Sequence, residues 1–145
     1  MTDLCPECPL NKQVGNIRNL QRYLESVWPW DIFNDCFGGK IALSDLDGIV
    51  ERRGQVLVLE AKGKNEKGEW VNIPKGQEIM FEKMVSTGYF TIVILWGEPG
   101  KPVRYQSWDK SRKSAVKDCD LETIRNLVRG WYKWADTRPI LIEEK

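Results

Sequence analysis

Tyr89-Phe90-Thr91-Ile92-Val93-Ile94-Leu95-Trp96 is an apolar run with no charged residue. A strand with one wet face alternates apolar and polar side chains, so an unbroken run predicts a strand covered on both faces. Such a strand needs helices above and below it, and the flanking sequence supplies them. Residues 76–87 place Gln77, Phe81, Met84 and Val85 on one helical face ahead of Gly88, a residue suited to a helix C-cap. Residues 121–135 predict a last helix, with Asp120 as its N-cap. Ile17, Leu20, Leu24, Val27 and Trp28 recur at helical spacing, so a first helix is expected over about 12–27, ended by Pro29. Strands are expected near 40–51, 55–62, 89–96 and 102–108. A Lys/Gly-rich connection over 63–75 carries the turn signal Asn65-Glu66-Lys67-Gly68, and a basic loop follows the last strand over 110–117. The fold class is therefore α/β, a mixed sheet flanked by helices. Residues 1–11 read as an irregular N-terminal segment and 12–145 as a single domain.

Charges interrupt this apolar pattern in one place. Asp45 and Asp47 precede Gly48-Ile49-Val50, and Glu60-Ala61-Lys62 closes Val56-Leu57-Val58-Leu59. Charges in a strand lower its propensity, and burying them is costly unless they are paired or bound to a metal. Side chains alternate faces, so Asp45 and Asp47 share one face, as do Glu60 and Lys62. The turn decides whether the two sets meet. A two-residue loop of Arg53-Gly54 places Asp47 opposite Glu60. A four-residue loop, Glu51 to Gly54, places Asp45 there instead. A three-residue loop puts the carboxylates on opposite faces unless a bulge intervenes. Gly54 suits the positive φ of a short hairpin, whereas Arg53 is not a preferred turn residue. Two carboxylates beside a lysine suit a divalent cation and phosphodiester cleavage.

These residues resemble the motif of the PD-(D/E)XK superfamily, the restriction-endonuclease-like nucleases. Asp47-Gly48-Ile49-Val50 followed by Val58-Leu59-Glu60-Ala61-Lys62 carries the likeness, with Ser44 rather than proline before Asp45. Gly76-Gln77-Glu78-Ile79-Met80-Phe81-Glu82-Lys83-Met84 resembles the glutamine-bearing helix of VRR-NUC-like replication and repair nucleases, and Gly88 followed by strand 89–95 continues the order. The resemblance covers roughly residues 40–97. It implies a single-domain restriction-endonuclease-like core in the order α-β-β-β-α-β. It also implies a Mg²⁺- or Mn²⁺-dependent deoxyribonuclease acting in repair, recombination or replication. Asp47, Glu60 and the Ala61 carbonyl would hold the ion. Lys62 would contact the attacking water and the scissile phosphate, although it could simply pair with Glu60. Gln77 would point toward the site, or be no more than a polar residue at a helix start. Asp45 is a second metal ligand, an outer hydrogen-bond partner, or the primary ligand of the longer loop. Glu25 reads as a solvated charge. The competing class is a nucleic-acid-binding or protein-interaction module that keeps the fold without turnover.

Composition narrows the alternatives. The 145 residues are 41% hydrophobic and 30% charged, as in a globular protein. The chain has no histidine, which removes His-based metal sites and Ser-His-Asp triads. No phosphate loop of the Walker type is present. With 22 basic against 21 acidic residues the net charge is +1, unlike a histone-like binder but compatible with a nuclease whose acidic site offsets a basic groove. Trp30 and Trp70 are candidates for stacking on unpaired bases, so single-stranded or branched DNA are candidate substrates. A domain this small often grips a large substrate as a homodimer. Cys5-Pro-Glu-Cys8 has the spacing of half a zinc or iron–sulfur site, but no second pair follows, so no Cys-bound cluster is expected. No run is long enough to span a membrane and no apolar leader precedes the polar N-terminus, so a cytoplasmic location is expected.

Overall fold

The computed structural model describes residues 20–140. The chain divides into two units, Met1–Ser44 and Asp45–Lys145. In the first, helix α1 (Leu20–Ser26) ends before Pro29, and a 3-10 helix follows over Trp30–Cys36, although Asp31, Asn34, Asp35 and Gly38-Gly39 read from sequence as a loop leading to the first strand. The expected start of α1, residues 12–19, lies outside the described residues, as do Cys5 and Cys8. Trp30 stacks with Trp28 at 5.7 Å and with Phe33 at 6.3 Å between ring centroids. Neither helix has a buried residue, and Glu25 is exposed, accepting a hydrogen bond from Gln21.

The second unit is a five-stranded mixed sheet with a helix on each face. Strands β1 (Gly48–Arg52) and β2 (Gln55–Lys62) form an antiparallel hairpin, and helix α2 (Lys75–Ser86) crosses from β2 to β3 (Phe90–Glu98). Strands β2 and β3 are parallel, as a helical crossover allows. Strand β4 (Lys101–Trp108) is antiparallel to β3, β5 (Lys117–Asp118) is antiparallel to β4, and helix α3 (Leu121–Asp136) closes the chain. The spatial order follows the sequence order.

The alternation of β2 sorts the core into two layers. Val58 packs with Ile92, Ile94, Trp96 and Trp108 under Phe81 and Val85 of α2. Leu57 packs with Val93 under Trp131 and Ala135 of α3. Residues 92–94 are fully buried, so the unbroken apolar run is covered on both faces as expected. Helix α3 starts at a capping box in which the Asp120 carboxylate accepts the Thr123 backbone N–H. That bond and the one to the Thr123 hydroxyl hold the Asp120 carboxyl below its ordinary range.

Two expectations change. The strand expected over 40–51 begins only at Gly48, because residues 41–46 carry no regular structure. The Asp47 side chain, not a strand backbone, takes the next ladder donor, the Ala61 N–H. The α-β-β-β-α-β order expected around α2 is also not what is observed: among the described residues two strands, not three, separate α1 from α2. The 63–75 connection folds instead as a small arm. Asn65 turns it by accepting from the N–H groups of Lys67 and Glu69, and Lys64 bridges to Trp70.

The β3–β4 hairpin depends on Gly97. The ladder shifts register between Trp96 and Gly97, and a Cβ on Gly97 would lie 2.3 Å from the Lys101 carbonyl oxygen. That neighbour is backbone and cannot swing away. Gly97→Ala is therefore expected to destabilise the fold by about 1–3 kcal/mol, read as a lower urea midpoint at unchanged slope. An unchanged midpoint would show that the hairpin opens freely there.

Candidate active site

The hairpin turn sets the site. Arg53 and Gly54 have φ of 53° and 84°, the two positive values that a tight two-residue turn requires. Arg53 is the non-glycine residue with positive φ among the described residues, and its side chain explains how it is held. The Arg53 guanidinium donates to the Arg138 carbonyl at 2.6 Å, beyond the end of α3. Beside it, Arg52 donates to Asp136 at 2.6 Å, and the Gly54 N–H donates to Glu51. The unfavourable turn residue thus ties the hairpin to the helix.

With a two-residue loop, Arg52 faces Gln55 and Gly48 faces Leu59. The ladder stops at this pair, and Asp47 is an exposed bend residue just before it. The Asp47 carboxylate accepts the Ala61 N–H at 2.8 Å, which anchors it at this end of β2. The same alternation that buries Val58 under α2 turns Glu60 and Lys62 to that face. Glu60 is 4% exposed, the buried charged residue among the described ones.

The two oxygens of Glu60 are used differently. Oε1 accepts from Lys62 Nζ at 3.2 Å and from Gln77 Nε2 at 2.8 Å. Oε2 is buried and has no hydrogen-bond partner, and neither has Gln77 Oε1. Gln77 reaches Glu60 because it lies in the first turn of α2, where the crossover returns over the end of β2. Of the two readings of Gln77, its side chain takes the one directed at Glu60. Lys62 pairs with Glu60, with 14% of its side chain exposed.

Lys62 and Gln77 therefore meet at Glu60, Asp47 bonds the backbone of the adjacent Ala61, and Asp45 joins neither. Asp45 is exposed, lies before the first strand and makes no hydrogen bond or ion pair. The donor set for a cation is two carboxylates and a backbone carbonyl; among the described residues no group of three or more His, Cys, Asp or Glu side chains is placed to hold a metal ion. This sparse set fits Mg²⁺, which is commonly bound by one or two carboxylates and keeps several waters. The unpartnered Glu60 Oε2 is the observation that favours a cation, since a buried carboxylate oxygen without a partner is costly.

Sequence reasoning missed the anchor of the adjoining arm. Trp96 is the β3 partner of Lys62, and its indole N–H donates to the Val71 carbonyl at 2.8 Å. This bond holds the return of the 63–71 arm against the sheet beside the site. No local spacing signals a bond across 25 residues. Trp70 packs against the α2-side core, with Lys64 Nζ 4.7 Å from its ring centroid. Of the remaining cysteines, Cys36 is exposed and Cys119 half-buried, both free, and burial pushes the Cys119 thiol pKa up.

No helix among the described residues is long and apolar enough to cross a membrane. The chain matches no family model, no curated protein and no solved structure.

Proposed function

We propose that the chain is a Mg²⁺-dependent nuclease of the PD-(D/E)XK, restriction-endonuclease-like class that hydrolyses DNA phosphodiesters in repair, recombination or replication. The observation that carries this reading is Glu60: a buried carboxylate with one oxygen held by Lys62 and Gln77 and the other without a partner, at the end of β2 where Asp47 also lies. Asp47, Glu60 and the Ala61 carbonyl are the groups that would hold Mg²⁺ or Mn²⁺. The ion supplies charge neutralisation at the phosphate and a more acidic water.

The side chains of this site divide the remaining work. Gln77 holds Glu60 through Oε1, which would leave the unpartnered Oε2 available to a cation. Asp47 is held by a backbone N–H through one oxygen, which leaves the other for the cation. Lys62 cannot ligate while charged. Its ammonium sits beside the carboxylate and stabilises negative charge developing on the phosphate. The crossover from β2 through α2 to β3 supports the same reading, because it brings the glutamine-bearing helix over the Glu-x-Lys strand.

The test is cleavage of plasmid and of labelled single-stranded, flapped, branched and duplex oligonucleotides. Cutting is expected with Mg²⁺ or Mn²⁺ and none with Ca²⁺ or a chelator. DNA binding without cutting of any substrate would instead favour the non-catalytic module. A second comparison separates the aspartates. Asp47→Asn is expected to abolish cleavage and stay folded, because the asparagine carbonyl can still accept the Ala61 N–H. Asp45→Asn should reduce the rate only slightly. The reverse order would overturn the assignment of Asp47.

A further inference from the structure

A cleft lies at the opposite end and on the opposite face of the sheet from the carboxylates. Its wall includes Gln55, which starts β2 five residues before Glu60, about 17 Å away at strand rise. The start of β3 and the end of β4 form its floor, and α3 roofs it. Its volume is about 480 Å³, within the range of small-ligand sites.

Its chemistry is uneven in an informative way. Leu127, Trp131 and Trp134 of α3 supply apolar and aromatic wall. Trp131 is 8% exposed, and its indole N–H is buried without an acceptor. Buried indole N–H groups ordinarily find one. The hydroxyls of Thr91, Ser107 and Ser111 line the same space, and none makes a side-chain hydrogen bond. Lys110 stands at the rim with no ion pair, its stem lying over Gly88. The adjacent Asp109 is turned into its own loop, where Oδ1 accepts the N–H groups of Ser111 and Arg112. A second cation, Arg138, covers the Trp134 ring at 5.0 Å.

We infer that this cleft binds one nucleotide unit, its base against the exposed Trp134 and its phosphate at Lys110. Flat aromatic walls stack bases without regard to sequence. The uncommitted hydroxyls meet the polar edge of a base or sugar. An unpaired lysine beside an occupied carboxylate complements an anion and not a cation. The occupant is either a free nucleoside monophosphate or one nucleotide of a single strand. The cleft is distinct from the carboxylate site, and the inference stands without nuclease activity.

The test uses the full chain, labelled with ¹⁵N, and follows its indole N–H signals. Trp131→Phe and Trp134→Phe assign the two signals of the cleft. Deoxyadenosine monophosphate is titrated without metal, then adenosine, then a five-nucleotide deoxyadenosine strand. The expected result is saturable displacement of the Trp131 and Trp134 signals, weakened about tenfold by Lys110→Ala or by loss of the phosphate. Displacement by the mononucleotide supports a free nucleotide as occupant. Displacement by the strand alone supports the same site with a strand nucleotide. Glu60→Gln should respond as the parent does. No displacement by any probe overturns the inference. So does a response that Lys110→Ala leaves unchanged, or one that is lost in a Glu60→Gln protein whose other indole signals show it folded.

Discussion

Glu60→Gln is expected to abolish the proposed Mg²⁺-dependent cleavage while the protein remains folded. The substitution keeps the shape of the side chain and one acceptor oxygen for Lys62 or Gln77. It removes the negative charge that a cation requires. Metal catalysis of phosphoryl chemistry supplies several kcal/mol of charge stabilisation. The expected loss is therefore at least about a thousandfold in rate, at 1.36 kcal/mol per tenfold. Burial argues that folding survives, since Glu60 is 4% exposed and a neutral amide costs less to desolvate than a carboxylate. Thermal unfolding checks the fold, and calorimetric titration with Mn²⁺ checks the ion. Full cleavage by Glu60→Gln would mean that the site lies elsewhere. An unfolded Glu60→Gln would point to a structural Glu60–Lys62–Gln77 network, and Glu60→Asp would then test the charge in a shorter side chain.

Lys62→Ala is expected to lose at least about a hundredfold in the proposed cleavage rate, on the scale of one preorganised electrostatic contact in a water-poor site. Metal affinity should stay the same or rise, because a positive charge beside the carboxylates has gone. DNA binding in Ca²⁺ should weaken by about one phosphate contact. The 3.2 Å pairing of Lys62 with Glu60 adds a stability cost. Removing one partner of a buried pair leaves the other uncompensated. Mg²⁺ should therefore raise the melting temperature of Lys62→Ala more than that of the parent. Lys62→Met, which keeps the apolar stem, separates packing from charge and should lose rate equally. A Lys62→Ala protein that cuts normally, or that no longer binds metal, would assign the pair to structure alone.

Much of this architecture is written locally. The two-residue turn at Arg53-Gly54 pairs Arg52 with Gln55, and the hairpin keeps that register as far as Gly48 and Leu59. The Gly88 stop after α2 and the Asp120 start of α3 also lie where turn and capping chemistry put them. Local patterning fails at residues 41–46. Ile41, Ala42 and Leu43 look like strand, but no strand forms there, and Asp47 extends the ladder through its side chain. A pattern of apolar residues does not reveal that a carboxylate will take the place of backbone. The 3-10 helix at Trp30–Cys36 is a similar miss, since neither period two nor period 3.6 describes it.

The sequence by itself determined the buried central strand, the helix on either side of it, and the common face of Glu60 and Lys62. These follow from side-chain periods and from turn and cap residues, which act over a few positions. Tertiary structure decided the direction of Gln77, the unpartnered second oxygen of Glu60, the exclusion of Asp45 and the aromatic cleft below α3. They depend on contacts between segments distant in sequence: the Gln77–Glu60 bond spans 17 residues and the Trp96–Val71 bond 25. Helix packing over the sheet is set by the whole core at once, so no local pattern encodes which side chains meet across it.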